Sequence, residues 1–190
     1  MKKFAFITMV IFNLSYSMEL LDFLRVTDGD TIVFINSSGE KVKCRVYGVD
    51  TPEKYDSQKL DRQSEILGID KQTMKQAGKV ASEYAEQWFG EHGKTYGVDI
   101  YGTDKYNRAL CDIFDEYGNS YSEAVVRDGY AVVYQKTENK DYLQELNGIM
   151  AEAKSENRGL WNTHRKIMQG IDESDTGIME RLFDKGLKWL

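Results

Sequence analysis

Two β-rich runs joined by a short turn constrain this chain most, because the turn brings its acidic residues together. Thr31-Ile32-Val33-Phe34-Ile35 and Val42 to Val49 read as strands, and Asn36-Ser37-Ser38-Gly39-Glu40 between them carries turn residues. The pair is expected to form an antiparallel hairpin. A hairpin returns the chain to its start. Asp28 and Asp30 at its entrance therefore come back beside Asp50, Thr51 and Glu53 at its exit. Carboxylates gathered this way repel one another unless a cation sits among them, and oxygen-only donors favour a hard ion such as Ca²⁺ or Mg²⁺. Arg45 adds a planar, permanently charged fork suited to a pair of phosphate oxygens. Together these groups suit phosphodiester chemistry.

The same residues carry a resemblance. Asp28-Gly29-Asp30-Thr31, Arg45 and Val49-Asp50-Thr51-Pro52-Glu53 resemble the signature of the staphylococcal nuclease (thermonuclease) family. Asp104-Lys105-Tyr106-Asn107-Arg108 resembles its second arginine motif. Ala124-Val125-Val126-Arg127-Asp128-Gly129-Tyr130-Ala131 and Arg158-Gly159-Leu160-Trp161 resemble its later landmarks in the same order, so the similarity runs from about Arg25 to Asn162. It implies a mainly β fold with α, a five-stranded OB-type β-barrel with three helices. The implied activity is Ca²⁺-dependent hydrolysis of phosphodiester bonds in DNA and RNA, leaving the phosphate on the 3′ side. Asp30 and Asp50 are the implied metal ligands, completed by the Thr51 carbonyl and waters, with Asp28 farther from the ion. Glu53 is implied to orient or deprotonate the attacking water, and Arg45 and Arg108 to neutralise charge on the phosphoryl oxygens. Lys105, Tyr106 and Tyr134 are implied beside the nucleotide, although the register at Tyr134 slips by one residue from the family's stacking tyrosine. Asn107 stands where many relatives have glycine, and asparagine tolerates a left-handed backbone.

Two other readings compete. A catalytically inactive OB-type binding module would be expected to lose charged site residues, yet Asp30, Arg45, Asp50, Glu53 and Arg108 are all present. A Ca²⁺-binding structural protein has no use for the two arginines.

Met1-Lys2-Lys3, a short apolar run from Phe4 to Phe12, and Ser15-Tyr16-Ser17 read as a secretory signal cut after Ser17. The alternative is an uncleaved anchor, but the run is shorter than the roughly 20 residues of a spanning helix. Cleavage implies a secreted or periplasmic protein without stable membrane association, with a domain over 18–162 and an extension over 163–190. Losing Lys2 and Lys3 changes the balance from 25 basic against 31 acidic residues to 23 against 31, so the net charge moves from −6 to −8. Such a protein attracts DNA poorly at long range. Cys44 and Cys111 are the only cysteines. An even count in an oxidising compartment permits one disulfide. By the resemblance both lie on adjacent strands and face the barrel interior, either bonded or as two small buried hydrophobes.

Residues 54–77 are polar and charge-balanced. They are expected to form a surface loop with at most a short helical turn, bordering the substrate groove or merely solvated. Gln76 to Phe89 reads as a helix with Val80, Ala81, Tyr84, Ala85, Trp88 and Phe89 on one face, ended by Gly90. Thr95 to Tyr101 and Ala109 to Phe114 read as strands, Ser120 to Asp128 as a helix capped by Ser120 or Ser122, and Lys140 to Glu156 as another helix. In the extension, Ile178, Leu182, Phe183, Leu187 and Leu190 suggest an amphipathic helix packed on its own domain or on a second copy, away from the active site. His92 and His164 lie far apart in sequence, and neither a Gly-rich phosphate loop nor zinc spacing occurs.

Overall fold

In the computed structural model, which describes residues 18–175, the hairpin forms from β2 (Thr31–Ile35) and β3 (Lys41–Val46). The pairing is antiparallel, with Thr31 opposite Arg45 and Ile32 opposite Cys44. Asn36 shapes the turn, its side-chain oxygen accepting from the backbone N–H of Ser38 at 3.0 Å and of Glu40 at 2.9 Å. The run from Val42 to Val49 is not one strand. Gly48 takes φ +79°, a left-handed value that turns the chain. Val49–Asp50 then forms a separate strand, β4, which pairs with β7 (Val132–Val133). The signal-like segment 1–17 and the positions Ile178, Leu182, Phe183, Leu187 and Leu190 lie outside the described residues.

Closure needs a strand not expected from the sequence, β1 (Glu19–Asp28), which pairs with β2 and also with β5 (Thr95–Thr103). With β6 (Ala109–Phe114) the order is β1-β2-β3-β6-β5, a closed five-stranded barrel in which β3 and β6 run parallel. This is the OB-type barrel implied by the resemblance. Ile32, Phe34, Cys44, Tyr96, Val98, Cys111 and Ile113 fill it, all fully buried. Cys44 and Cys111 are joined by a disulfide between these parallel neighbours, their Cα atoms 5.6 Å apart.

The three expected helices are α2 (Lys71–Glu91), α3 (Tyr121–Arg127) and α4 (Lys140–Ser155). Ser120 caps α3, whereas Ser122 turns inward to Asp112. Asp70 caps α2, which therefore starts at Lys71 instead of Gln76, and it passes through Gly90 to Glu91. The segment after Glu53 is no loop. Gln58–Leu67 forms a ten-residue helix, α1, because Ser57 accepts the Leu60 N–H at 3.0 Å and Gly68 closes the other end at φ +61°. Leu60 and Leu67 anchor it in the core.

After Gly159 the chain continues as α5 (Leu160–Thr163), which contains Trp161, and α6 (Arg165–Asp175). Ile167, Met168 and Ile171 of α6 are buried, and α6 touches both α1 and β7. Among the described residues no helix is long and apolar enough to cross a membrane.

Candidate active site

The barrel sets Asp30 at the entrance of β2, Arg45 opposite on β3, and Asp50 and Thr51 at the end of β4. Asp30 and Asp50 are 8% and 3% exposed, so each needs compensation. Asp30 Oδ1 accepts from Thr31 Oγ1 at 2.9 Å, and its Oδ2 accepts from both Thr51 N and Thr51 Oγ1 at 3.2 Å. Arg45 bridges the two acids: Nη1 lies 3.1 Å from Asp30 Oδ2 and Nη2 2.9 Å from Asp50 Oδ1. Its Nη1 also donates to the Val49 carbonyl at 2.8 Å. Burial pushes the Asp30 pKa up, but Arg45 and Lys59 outweigh it and hold the carboxyl below its ordinary value. Asp28 is placed differently. It accepts from Gly29 N and Ser82 Oγ. Burial, then the charges of Asp30 and Glu53, raise its pKa to about 7.

Glu53 follows at the mouth of the cluster, its side chain 23% exposed. It is held from two sides. Gly78 of α2 lies so close beneath the 53–54 peptide that an added Cβ would collide with the Glu53 carbonyl and Lys54 N. From outside comes Lys59 of α1, with Nζ 2.6 Å from Asp50 Oδ2 and 3.0 Å from Glu53 Oε1. Burial opposes the Lys59 charge, yet Asp50, Glu53 and Asp30 together raise its pKa above the ordinary lysine value. Neither Lys59 nor Gly78 stands out in the sequence. Lys59 sits in a polar stretch without periodicity, and a glycine inside a helical run is a weak sign of close backbone approach.

The second arginine reaches the same place. Arg108 Nη1 lies 3.3 Å from Thr31 Oγ1, which itself donates to Asp30. Arg108, Thr31, Asp30, Arg45, Asp50, Lys59 and Glu53 are therefore linked through successive polar contacts. Asn107 takes φ +60° in the turn before Arg108. Tyr106 is 68% exposed, with Lys105 Nζ 5.0 Å from its ring centroid. Tyr134 donates its backbone N–H to Gly48 O at 2.9 Å, and its half-buried side chain lines the groove. This groove, about 1660 Å³, also takes in Lys43, Lys105 and Lys136. It exceeds the roughly 300–1,000 Å³ of a small-molecule pocket. With Lys59 these lysines put four ammonium groups on the groove beside its carboxylates.

Among the described residues no three His, Cys, Asp or Glu side chains converge to hold a metal by themselves. Asp30 and Asp50, drawn together on one guanidinium with Thr51 against Asp30, nevertheless give a donor set of oxygens only. That chemistry fits a hard divalent ion whose remaining positions are taken by a backbone carbonyl and waters.

A family model described as "Staphylococcal nuclease homologue" matches residues 43–163. The chain is 30% identical to "Endonuclease YhcR" of Bacillus subtilis (strain 168) over 148 residues, 76% of this chain but only 12% of that protein's length. It is 30% identical over 164 residues to an "Uncharacterized endonuclease" of Escherichia coli, covering 83% of this chain and 89% of the relative. An archaeal relative, "Uncharacterized protein MJ1439" of Methanocaldococcus jannaschii, is 32% identical over 149 residues, 73% of this chain and 70% of its own length.

Proposed function

Because the chain belongs to the staphylococcal nuclease homologue family, we propose that it hydrolyses phosphodiester bonds of DNA and RNA in a Ca²⁺-dependent reaction. The observation that carries this reading is the convergence of Asp30, Arg45, Asp50, Glu53 and Arg108 on one open groove. Asp30, Asp50 and the Thr51 carbonyl would hold the ion, which when bound supplies Lewis-acid polarisation of a phosphoryl oxygen.

The chain's own groups do the rest. Glu53 takes the proton of the attacking water, the part suited to a carboxylate at the mouth of the cluster. Arg45 on β3 and Arg108, just before the neighbouring parallel strand β6, neutralise charge gathering on the phosphoryl oxygens, where one such contact is worth on the order of 3 kcal/mol. Arg45 now pairs with Asp30 and Asp50, so its turn toward phosphate exchanges one set of oxygens for another. Lys105 and Lys136 face the polymer backbone, and Tyr106 and Tyr134 offer rings to its bases. The disulfide between Cys44 and Cys111 supports export, since such bonds persist in oxidising compartments.

An inactive binding module has no need to keep a buried acid pair bridged by an arginine. The deciding experiment incubates purified protein, residues 18–190, with single-stranded DNA and with RNA in millimolar Ca²⁺. Cleavage that stops on chelation is expected. Protein that binds Ca²⁺ and leaves both polymers intact would overturn the proposal.

A further inference from the structure

Lys59 is the one basic group among the described, linked residues of the cluster that the proposed reaction does not use. It enters from α1, outside the barrel, unlike Arg45, which projects from the barrel wall. The Ser57 cap fixes the first turn of α1, and Leu60, the next residue, is fully buried. The helix therefore aims the lysine stem at the site. Nζ lies 2.6 Å from Asp50 Oδ2 and 3.0 Å from Glu53 Oε1, with the side chain 37% exposed. An ammonium at these distances takes the same oxygen lone pairs that a divalent ion needs. It carries a single charge on a flexible tether, so a doubly charged ion can displace it from these oxygens.

We propose that Lys59 is a built-in competitor for the metal, holding Asp50 and Glu53 until a divalent cation displaces it and so setting the metal concentration at which the site fills. The proposal rests on the reading of the cluster as a Ca²⁺ site. Displacement also frees Glu53 from its ion pair at the moment the site fills. A ligand and a competing group bound to one set of oxygens must weaken each other by the same factor, so removing the ammonium strengthens ion binding. A lysine that merely positions Glu53 predicts the opposite or no change.

The test is calorimetric titration of the protein with CaCl₂ in the absence of nucleic acid, comparing wild type with Lys59→Met and Lys59→Gln. Both variants are expected to bind Ca²⁺ about tenfold more tightly, within the range of ordinary coupling between sites. Equal or weaker binding by folded variants overturns the proposal while leaving the metal site standing. Should both variants fail to fold, the wild-type protein decides by NMR. The Lys59 ε-methylene signal is expected to shift as Ca²⁺ saturates the site, and a signal that stays in place sinks the idea. If wild type and variants alike bind no Ca²⁺, the metal-dependent reading falls and this inference with it.

Discussion

Arg108 rests its guanidinium on Asp104, with Nε 2.8 Å and Nη2 2.7 Å from the same carboxylate oxygen, Oδ2. The other oxygen accepts the backbone N–H groups of Tyr106 and Arg108, each at 2.9 Å. One carboxylate thus folds the turn and aims the arginine that reaches Thr31.

Asp104→Ala should therefore lower kcat by about tenfold, the scale of a misplaced charge-stabilising group, and cost roughly 2 kcal/mol through lost charge-assisted bonds. Burial opposes the Asp104 charge, but the backbone and side-chain donors of Arg108 and the Tyr106 N–H hold its pKa below the ordinary 3.8. A lowered carboxyl contributes stability above its unfolded pKa and loses it as pH falls through the folded one. Urea denaturation of wild type and variant should then converge as pH drops below about 4. Curves that keep a constant separation to pH 2 would contradict this account.

Glu53→Gln keeps the shape at the mouth of the cluster and removes the base. A rate loss of about 10²-fold or more is expected in single-turnover cleavage. Calorimetric Ca²⁺ binding should persist, because Asp30 and Asp50 remain. A variant with wild-type turnover would remove Glu53 from the mechanism.

The disulfide closes a sequence separation of 67 residues. A loop of that size gives a stabilisation of about 4 kcal/mol in the chain-entropy picture. Replacing both Cys44 and Cys111 by alanine should lower the denaturation midpoint accordingly. Thiol titration of unfolded, non-reduced protein should find no free cysteine, and two reactive thiols per chain would refute the bond.

Much of the site is legible in the amino-acid sequence itself. The β-rich run from Thr31 to Ile35, the turn chemistry of Asn36 to Glu40 and the acidic residues at both ends bring Asp30 toward Thr51 through the hairpin, although the last step runs through the Gly48 turn and β4. Strand β1 is not legible. Leu20 and Leu24 are 72% and 39% exposed while Leu21 is buried, so its apolar residues lie on both faces and blur the period of two. Helix α1 is hidden for a different reason. It rests on two leucines, one cap and a terminal glycine within a polar stretch, and its packing partners on α2 and α6 are distant or later in sequence. Lys59 is hidden with it, because its place at the site depends on that helix.

Helix α6 is a further consequence of tertiary packing. Ile167, Met168 and Ile171 are buried, and Gly170 lies against Leu67 of α1. Truncation after Asn162 should cost on the order of 5 kcal/mol, taking about 2 kcal/mol for each buried aliphatic side chain. It should also loosen α1, which hydrogen exchange at Leu60 to Leu67 would register. A truncated protein with unchanged melting temperature and α1 protection would show that α6 is dispensable.

Gly78 sets two opposing effects against each other. In the interior of a helix, glycine to alanine ordinarily stabilises by about 1 kcal/mol. Here the added methyl would meet the Glu53 carbonyl and Lys54 N, backbone atoms that cannot rotate aside as a flexible side chain could. Overpacking of this kind costs typically about 1–3 kcal/mol, so the clash should win. The 53–54 peptide must move away from α2, carrying Glu53 with it. Misplacement by an ångström at a catalytic group is worth as much as about 10²-fold in rate. Gly78→Ala is therefore expected to melt at a lower temperature and to lose at least tenfold in kcat. Gly90→Ala, in the same helix with open space around it, should be tolerated without loss of activity. If Gly78→Ala proved more stable than wild type and fully active, the close approach of α2 would have no part in placing Glu53.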